Sequence, residues 1–408
     1  MRIEESLEGA EADLVADLKP EGEIAVVADE DTWDAMGGRI AAALSKRFGD
    51  AREVVFDKKP HADMAEATAL ADRLSGAGFA VAVGGGTIND LVKYVTHGDG
   101  RRFCVFGTSA SMDGYASTTA SMTLESGLKV SLPAHAARGV FLDLSVLAAA
   151  PAYLSGAGFG DCVCSSVARI DWWMSHRLLG TFFAEEPYLI AEANDAEMNA
   201  RAGGLATGDV EAVGYLTRAL MLSGLGVAFT GVSNHGSMGE HQISHYIDCF
   251  AGADHPGTLH GQQVGVASLT MARIQQAILS SEAPPILRPT RIDADDMARR
   301  MGPEIAAQCR AEYEKKAFDE AGAAAFNEKI AAIWPELRRE SLAVAVPVEE
   351  MERLLKAAGA PTTAAELGLK PGFYAEAVRH AHEMRNRFSF ADIACDAGLL
   401  DDIAAGEA

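Results

Sequence analysis

Basic residues are scarce in this chain: 35 Lys and Arg stand against 58 Asp and Glu in 408 residues, a formal charge of −23. Such a sequence lacks the clustered cations that a nucleic-acid backbone demands, and anionic membrane surfaces repel it. The expectation is therefore no nucleic-acid and no membrane partner, and any anionic ligand must be held by local donors against the overall field. Cysteine is sparse too. Cys104, Cys162, Cys164, Cys249, Cys309 and Cys395 form no CxxC pair, and without an export signal they read as reduced thiols, not a disulfide framework. The first residues, MRIEESLEGAEADLVADLKP, lack the basic and apolar regions of a signal peptide. No run approaches the ~18 consecutive apolar residues of a membrane span. Repeats, low-complexity tracts and flexible linkers are missing as well, and a cytoplasmic, soluble protein is expected.

What is present fits a globular chain. The hydrophobic share is 49% and the charged share 23%, near the usual ~45–50% and ~25%. At roughly 150 residues per domain, the length allows two or three domains. Apolar runs at 23–29, 53–57, 79–83, 103–106 and 140–142 alternate with helical patterns at 32–48, 64–76 and 87–95. Val- and Ala-rich strands separated by helices indicate βαβ units around a parallel sheet. After Pro151 the texture turns to helix-favouring Ala, Leu, Arg and Glu, as in 298–337 and 348–358. The expected division is an α/β domain over 1–155 and an all-α domain over 156–408, joined at the glycine-rich Ser155–Gly160. A cleft between two such domains is a usual place for small-molecule sites.

Four segments carry candidate chemistry. In the first, the strand Val81–Val83 runs into Gly84, Gly85 and Gly86 and then a helix through Thr87, Ile88, Asn89 and Asp90. Glycines let backbone approach a phosphate, and a helix N-terminus offers free N–H groups. The pattern is neither GxGxxG nor a P-loop, and a plain tight turn capped by Thr87 or Asn89 reads equally well. The second segment, Thr108-Ser109-Ala110-Ser111-Met112-Asp113-Gly114-Tyr115-Ala116-Ser117, follows another strand. It suits ligand binding at a strand's carboxyl end, or a polar turn bonded to its own backbone. In the third, GFGD, Asp161 stands at the expected start of a helix, as a ligand or a cap. A Cys162-x-Cys164 thiolate site is disfavoured, since that offset splays the side chains.

The fourth segment is the most informative. Ile243, Tyr246, Ile247 and Phe250 form one apolar helical stripe, while His241, His245 and Asp248 share an adjoining face. His260 follows fifteen residues after His245. His241, His245 and His260, clustered within twenty positions, favour a metal or catalytic site. With the Asp161 carboxylate they would make an open, catalytic-type centre.

Taken in order, GGGTINDLVKYV, TSASMDGYAS, GLKVSLPA, GFGD, GEHQISHYID and LHGQQVG resemble the iron-containing alcohol dehydrogenase superfamily, and within it the sn-glycerol-1-phosphate dehydrogenases, over roughly residues 20–270. The resemblance implies an NAD(P)-binding N-terminal domain and a helical metal- and substrate-binding domain. It also implies NAD or NADP and one divalent metal (Zn, Ni or Fe) in the cleft, with reversible reduction of dihydroxyacetone phosphate to sn-glycerol 1-phosphate in phospholipid metabolism. By motif, the cofactor pyrophosphate would lie on Gly86, Thr87, Ile88, Asn89 and Asp90, with Gly84 and Gly85 among the cofactor-binding residues. Thr108, Ser109, Ser111 and Ser117 would touch the rest of the cofactor. Asp161, His241 and His260 would bind the metal, and Asp113 and His245 the phosphorylated triose or polyol. A homodimer or larger homo-oligomer follows from family habit.

The alternatives are a dehydroquinate-synthase-like cyclase, a polyol dehydrogenase on an unphosphorylated substrate, and a non-catalytic binder retaining the scaffold. Lys129 is a candidate phosphate ligand, and Asp29, Glu30 and Asp31 are candidates for reading the cofactor ribose. No motif is matched beyond residue 280.

Overall fold

Six short parallel strands organise the first half of the molecule. The computed structural model describes residues 1–407 and orders the sheet β1-β8-β5-β4-β2-β3, every pair parallel. The strands are β1 (Arg2–Glu4), β2 (Ile24–Asp29), β3 (Arg52–Phe56), β4 (Phe79–Gly84), β5 (Arg102–Gly107) and β8 (Val140–Asp143). Every residue of β4 is buried. That explains its unbroken apolar run: a parallel sheet is covered on both faces, so alternation disappears. Five of these strands lie where the apolar runs predict them. β1 escapes sequence reading because it is three polar-flanked residues that pair only with β8.

An antiparallel hairpin, β6 (Thr119–Thr123) and β7 (Lys129–Pro133), is a second departure. Its Ser- and Thr-rich sequence carries little hydrophobic signal. The helices α1 (Gly38–Phe48), α2 (Met64–Arg73) and α3 (Gly86–Asp99) follow the strands as expected.

The chain divides into two compact units. The first contains Met1–Gly158, Ile190–Gly231 and Ala357–Gly359; the second contains Phe159–Leu189, Val232–Lys356 and the chain from Ala360 onward. The Ser155–Gly160 segment is helical, within α4 (Ala152–Val163), which α5 (Ser165–Leu179) follows. Its glycines serve close packing, not chain flexibility, and Asp161 accordingly lies inside a helix and not at its start.

Two further helices bear on the sites, α7 (Gly239–Phe250) and α8 (His260–Leu279), and between α5 and α7 runs α6 (Val210–Thr230). By length and composition α6 could cross a membrane, which a search for unbroken apolar runs misses. Val213, Leu216 and Leu220 on it are buried in the first unit, as in the core helix of a globular unit. The helix-favouring stretch 298–337 forms separate helices, and Gly302, with a φ of +77°, ends one of them as Pro303 opens the next.

Candidate active site

In the first unit, β4 delivers its glycines to the start of α3. The helix is capped by Gly85 with no side-chain hydrogen bond, so the first-turn amides keep their unpaired donors and positive field. The cap is therefore neither Thr87 nor Asn89. A Cβ on Gly84 would lie 2.7 Å from Ile88 Cβ, so that position must be glycine for α3 to turn so sharply off the strand. The Asn89 amide group bonds Asp90 Oδ1, and Asp90 Oδ2 accepts from the Ser121 amide at 3.0 Å. Asp90 is thus spent on the protein, Asn89 Oδ1 is buried without a hydrogen-bond partner, and Gly86, Thr87 and Ile88 offer backbone.

The loop after β5 is pinned from beneath by Lys93. Its side chain is wholly buried, and its ammonium donates to Gly114 O at 2.6 Å, Thr119 O at 2.9 Å and Ser117 Oγ at 3.1 Å, with Asp90 Oδ1 3.6 Å away. Burial, the largest influence, disfavours both charges, lowering the Lys93 pKa and raising that of Asp90, while each charge partly restores the other. Ser117 also lies within hydrogen-bond distance of Gly114 O and Thr119 O, so its hydroxyl is engaged in this hub. Tyr115 OH reaches Gly84 O and Ser109 O, each at 3.0 Å, tying the β4 end to the loop. Thr108 donates its amide to Gly84 O, and Ser109 and Ser111 pair through their hydroxyls at 3.0 Å.

Asp113 sits on top of this loop. Ser223 Oγ donates to its Oδ2 at 2.8 Å, which fixes the carboxylate. α6 comes close because residue 224 is glycine: a Cβ there would lie 2.4 Å from Asp113 O. Neither Lys93 nor Ser223 was singled out in the sequence; Lys93 falls inside the quoted GGGTINDLVKYV, whereas Ser223 has no local signal. Among the remaining candidates, Asp29 caps the following helix through Thr32, Asp31 pairs with Lys59, and Lys129 opens β7.

The second unit gathers the metal-type side chains. One ligand atom each from Asp161, His241 and His260 lies within 4.8 Å of the others. Two helix contacts create that convergence. α4 meets the start of α8 so closely that a Cβ on Gly160 would lie 2.2 Å from Gly261 O, with Gly265 Cα 3.3 Å away, bringing Asp161 beside His260. α7 runs against α8, leaving the His241 and His260 ring centroids 4.9 Å apart. His245, one turn on, is 5% exposed, with its ring 5.6 Å from His260 and 6.3 Å from His241.

The imidazoles are supported from behind. His241 Nδ1 is 2.9 Å from Glu240 Oε1, and its Nε2 is 3.6 Å from Asp161 Oδ1. A carboxylate only accepts, so Nδ1 carries a proton, and in the neutral ring Nε2 is then the lone-pair atom. Glu240 is fully buried, its Oε1 also accepts the Met238 amide, and its Oε2 has no hydrogen-bond partner. Asp171, equally buried, holds the start of α7 by accepting from Gly239 N, and also accepts from Gln275 Nε2 and Phe390 N. Desolvation, with Glu240 nearby, pushes its pKa up to about 8. Cys164 joins Glu240 and His241 in a second, wholly buried group of donors. Its Sγ lies 3.1 Å from Asp161 O and 3.3 Å from Gly236 O, acceptors that a thiol proton satisfies.

One carboxylate and two imidazoles around a common point fit a divalent ion such as Zn, Ni or Fe, with a position left for substrate. Uncapped helix amides behind a glycine strand end fit a pyrophosphate.

A family model described as iron-containing alcohol dehydrogenase matches residues 2–151. A glycerol-1-phosphate dehydrogenase of Methanospirillum hungatei, named for NAD(P)+, is 31% identical over 258 residues, covering 63% of this chain and 69% of that protein. A Bacillus velezensis protein of the same name is 27% identical over 371 residues, covering 89% and 83%. Among solved structures, NADH-dependent butanol dehydrogenase A of Thermotoga maritima superposes with a TM-score of 0.63 at 14% identity, covering 98% of this chain and 95% of that one. Glycerol dehydrogenase of Schizosaccharomyces pombe gives 0.61 at 19%, covering 97% and 87%; at such identities these two share the fold alone. The sequence relatives go further, and on their identity and extent the chain belongs to the glycerol-1-phosphate dehydrogenase family of the iron-containing alcohol dehydrogenases.

Proposed function

We propose that this protein catalyses the reversible reduction of dihydroxyacetone phosphate to sn-glycerol 1-phosphate, using NAD(P)H and one divalent metal ion. The observation that carries the reading is the convergence of Asp161, His241 and His260 to within 4.8 Å in a chain with this family membership. When bound, the ion supplies Lewis-acid polarisation of a ketone carbonyl, and the nicotinamide supplies the hydride.

The chain's own groups have separate tasks. Asp161, His241 and His260 would hold the ion. Asp113, oriented by Ser223 at Oδ2, accepts hydroxyl protons of the triose and orients it. His245, almost buried beside the other two rings, passes a proton to the substrate oxygen during reduction and takes it back in oxidation. The backbone amides of Gly86, Thr87 and Ile88 receive the pyrophosphate, Gly84 and Gly85 admit it, and Asn89 and Asp90 hold the turn. Thr108, Ser109, Ser111 and Ser117 shape the wall that faces the cofactor. Six free thiols and the acidic composition support a cytoplasmic setting, and family habit supports a homodimer in phospholipid metabolism.

The test is NAD(P)H oxidation by the purified protein with dihydroxyacetone phosphate, dihydroxyacetone and other ketoses, beside elemental analysis of the same sample. Turnover confined to the phosphorylated triose, with sn-glycerol 1-phosphate as product, is expected. Preference for an unphosphorylated ketose would replace the substrate, and no oxidation of NAD(P)H with any ketose would overturn the reading.

A further inference from the structure

Behind His260 runs a buried chain of hydrogen bonds whose direction can be read from its far end. Asp248 accepts at Oδ1 from Gln263 Nε2 at 3.0 Å and from His255 Nε2 at 3.2 Å. Being a carboxylate, it only accepts, so the Gln263 amide must turn its NH2 group toward Asp248. The second NH2 proton goes to Thr258 Oγ1 at 3.1 Å, and the 3.2 Å approach of Gln263 Nε2 to His255 Nε2 reflects their shared acceptor. Gln263 Oε1 then points the other way and receives the Ser244 hydroxyl proton at 2.8 Å. A hydroxyl has one proton. Having given it to Gln263, Ser244 Oγ can only accept from His260 Nδ1, 3.0 Å away.

We infer that Asp248, Gln263 and Ser244 form a positioning chain that fixes His260 as the Nδ1–H tautomer, so that Nε2 is its metal-binding atom. The alternative arrangement is costly at every link. Flipping Gln263 would set its carbonyl against the Asp248 carboxylate. Rotating the Ser244 proton toward His260 would leave Gln263 Oε1 without a donor in an interior where both residues are 0% exposed. His241 reaches the same state by a shorter route, through Glu240 Oε1. The spacing explains the sequence: Ser244 lies three residues after His241 on α7, and Gln263 three after His260 on α8, so both supports stand on the helices that carry the ligands.

The inference rests on the metal-centre reading, and the experiment separates the two. In the metal-free wild-type protein, 15N spectra of the histidine rings should show His260 protonated at Nδ1 and bare at Nε2, its signals assigned by their loss in His260→Gln. In Ser244→Ala the two tautomers should mix, and Zn2+ affinity measured by competition with a chelating dye should fall about 10–100-fold. Ser244→Thr, which retains the hydroxyl, should restore both readouts. Nε2 protonation in the wild type would overturn the inference, as would a folded Ser244→Ala with unchanged spectrum and affinity. If Ser244→Ala does not fold, the wild-type spectrum decides alone. The expected tautomer in a wild-type protein that takes up no divalent ion would support the chain and overturn the metal reading.

Discussion

The glycine-loop region of the first unit and the histidine cluster of the second solve binding in opposite ways. Around the loop the polar side chains are consumed by one another: Lys93 by three oxygens, Asp90 by Ser121 and Asn89, Ser117 by the Lys93 hub. What remains on offer is backbone, the first-turn amides of α3. In the cluster the backbone is ordinary helix and the side chains converge, with Nδ1 of His241 and of His260 each bonded by a neighbouring side chain. A diffuse anionic pyrophosphate suits an array of amides, and a small cation needs fixed lone pairs at short range. The net charge of −23 bears on neither, because both recognise charge locally.

The largest effect should come from emptying the cluster. His260→Ala should remove metal retention and lower turnover by roughly 10³-fold or more, the loss of several kcal/mol of charge stabilisation, while leaving NAD(P)H binding by fluorescence titration within a few-fold of wild type. Parallel loss of cofactor binding would break the separation of the two regions. Next in size, Lys93→Met strands three oxygens and the Asp90 carboxylate beneath the Asp113 loop. Removing one partner of a buried ion pair costs about 3–5 kcal/mol, so denaturant unfolding should show that loss while Zn2+ affinity stays unchanged. Unaltered stability would show the Lys93 hub to be dispensable.

The two regions also differ in how far the sequence discloses them. Strand runs such as Phe79–Gly84 are legible because burial on both faces forces an apolar string. His241 and His260 stand out because residue type and helical spacing already limit the chemistry. Lys93 is not legible in the same way. Its three acceptors are backbone or hydroxyl oxygens 21 to 26 residues away, and no local pattern encodes a cation turned inward. Ser223 is 110 residues from Asp113, a distance only the fold spans. The glycines of GFGD read locally as a joint, whereas Gly160 is there because Gly261 passes within Cβ-forbidden distance.

Asp171 offers a subtler contrast, since it supports the cluster without facing it. Its folded pKa of about 8 lies above the ordinary 3.8, so the native state keeps a proton that the unfolded chain has released. The sign follows from linkage: this group's contribution is complete below about pH 4 and declines as pH rises to about 8, where Asp171 ionises in the folded protein too. Asp171→Asn carries no such proton. The difference in unfolding free energy, wild type minus variant, should therefore fall by a few kcal/mol between pH 5 and pH 8 in urea titrations. A pH-independent difference would mean that Asp171 is ionised in the fold.

The smallest change proposed tests the loop side without touching a polar group. Gly224→Ala places a methyl 2.4 Å from Asp113 O, 3.3 Å from Ala116 Cβ and 3.5 Å from Ser117 N. Either α6 withdraws or the Asp113 loop shifts, at about 1–3 kcal/mol of overpacking. Because Lys93 anchors the loop at Gly114, Ser117 and Thr119, the strain should collect at Asp113, whose own backbone oxygen meets the new methyl. KM for the triose should then rise about tenfold while metal content and cofactor affinity hold. Loss of metal instead would mean that the two regions are mechanically one, and the contrast between them would have to be given up.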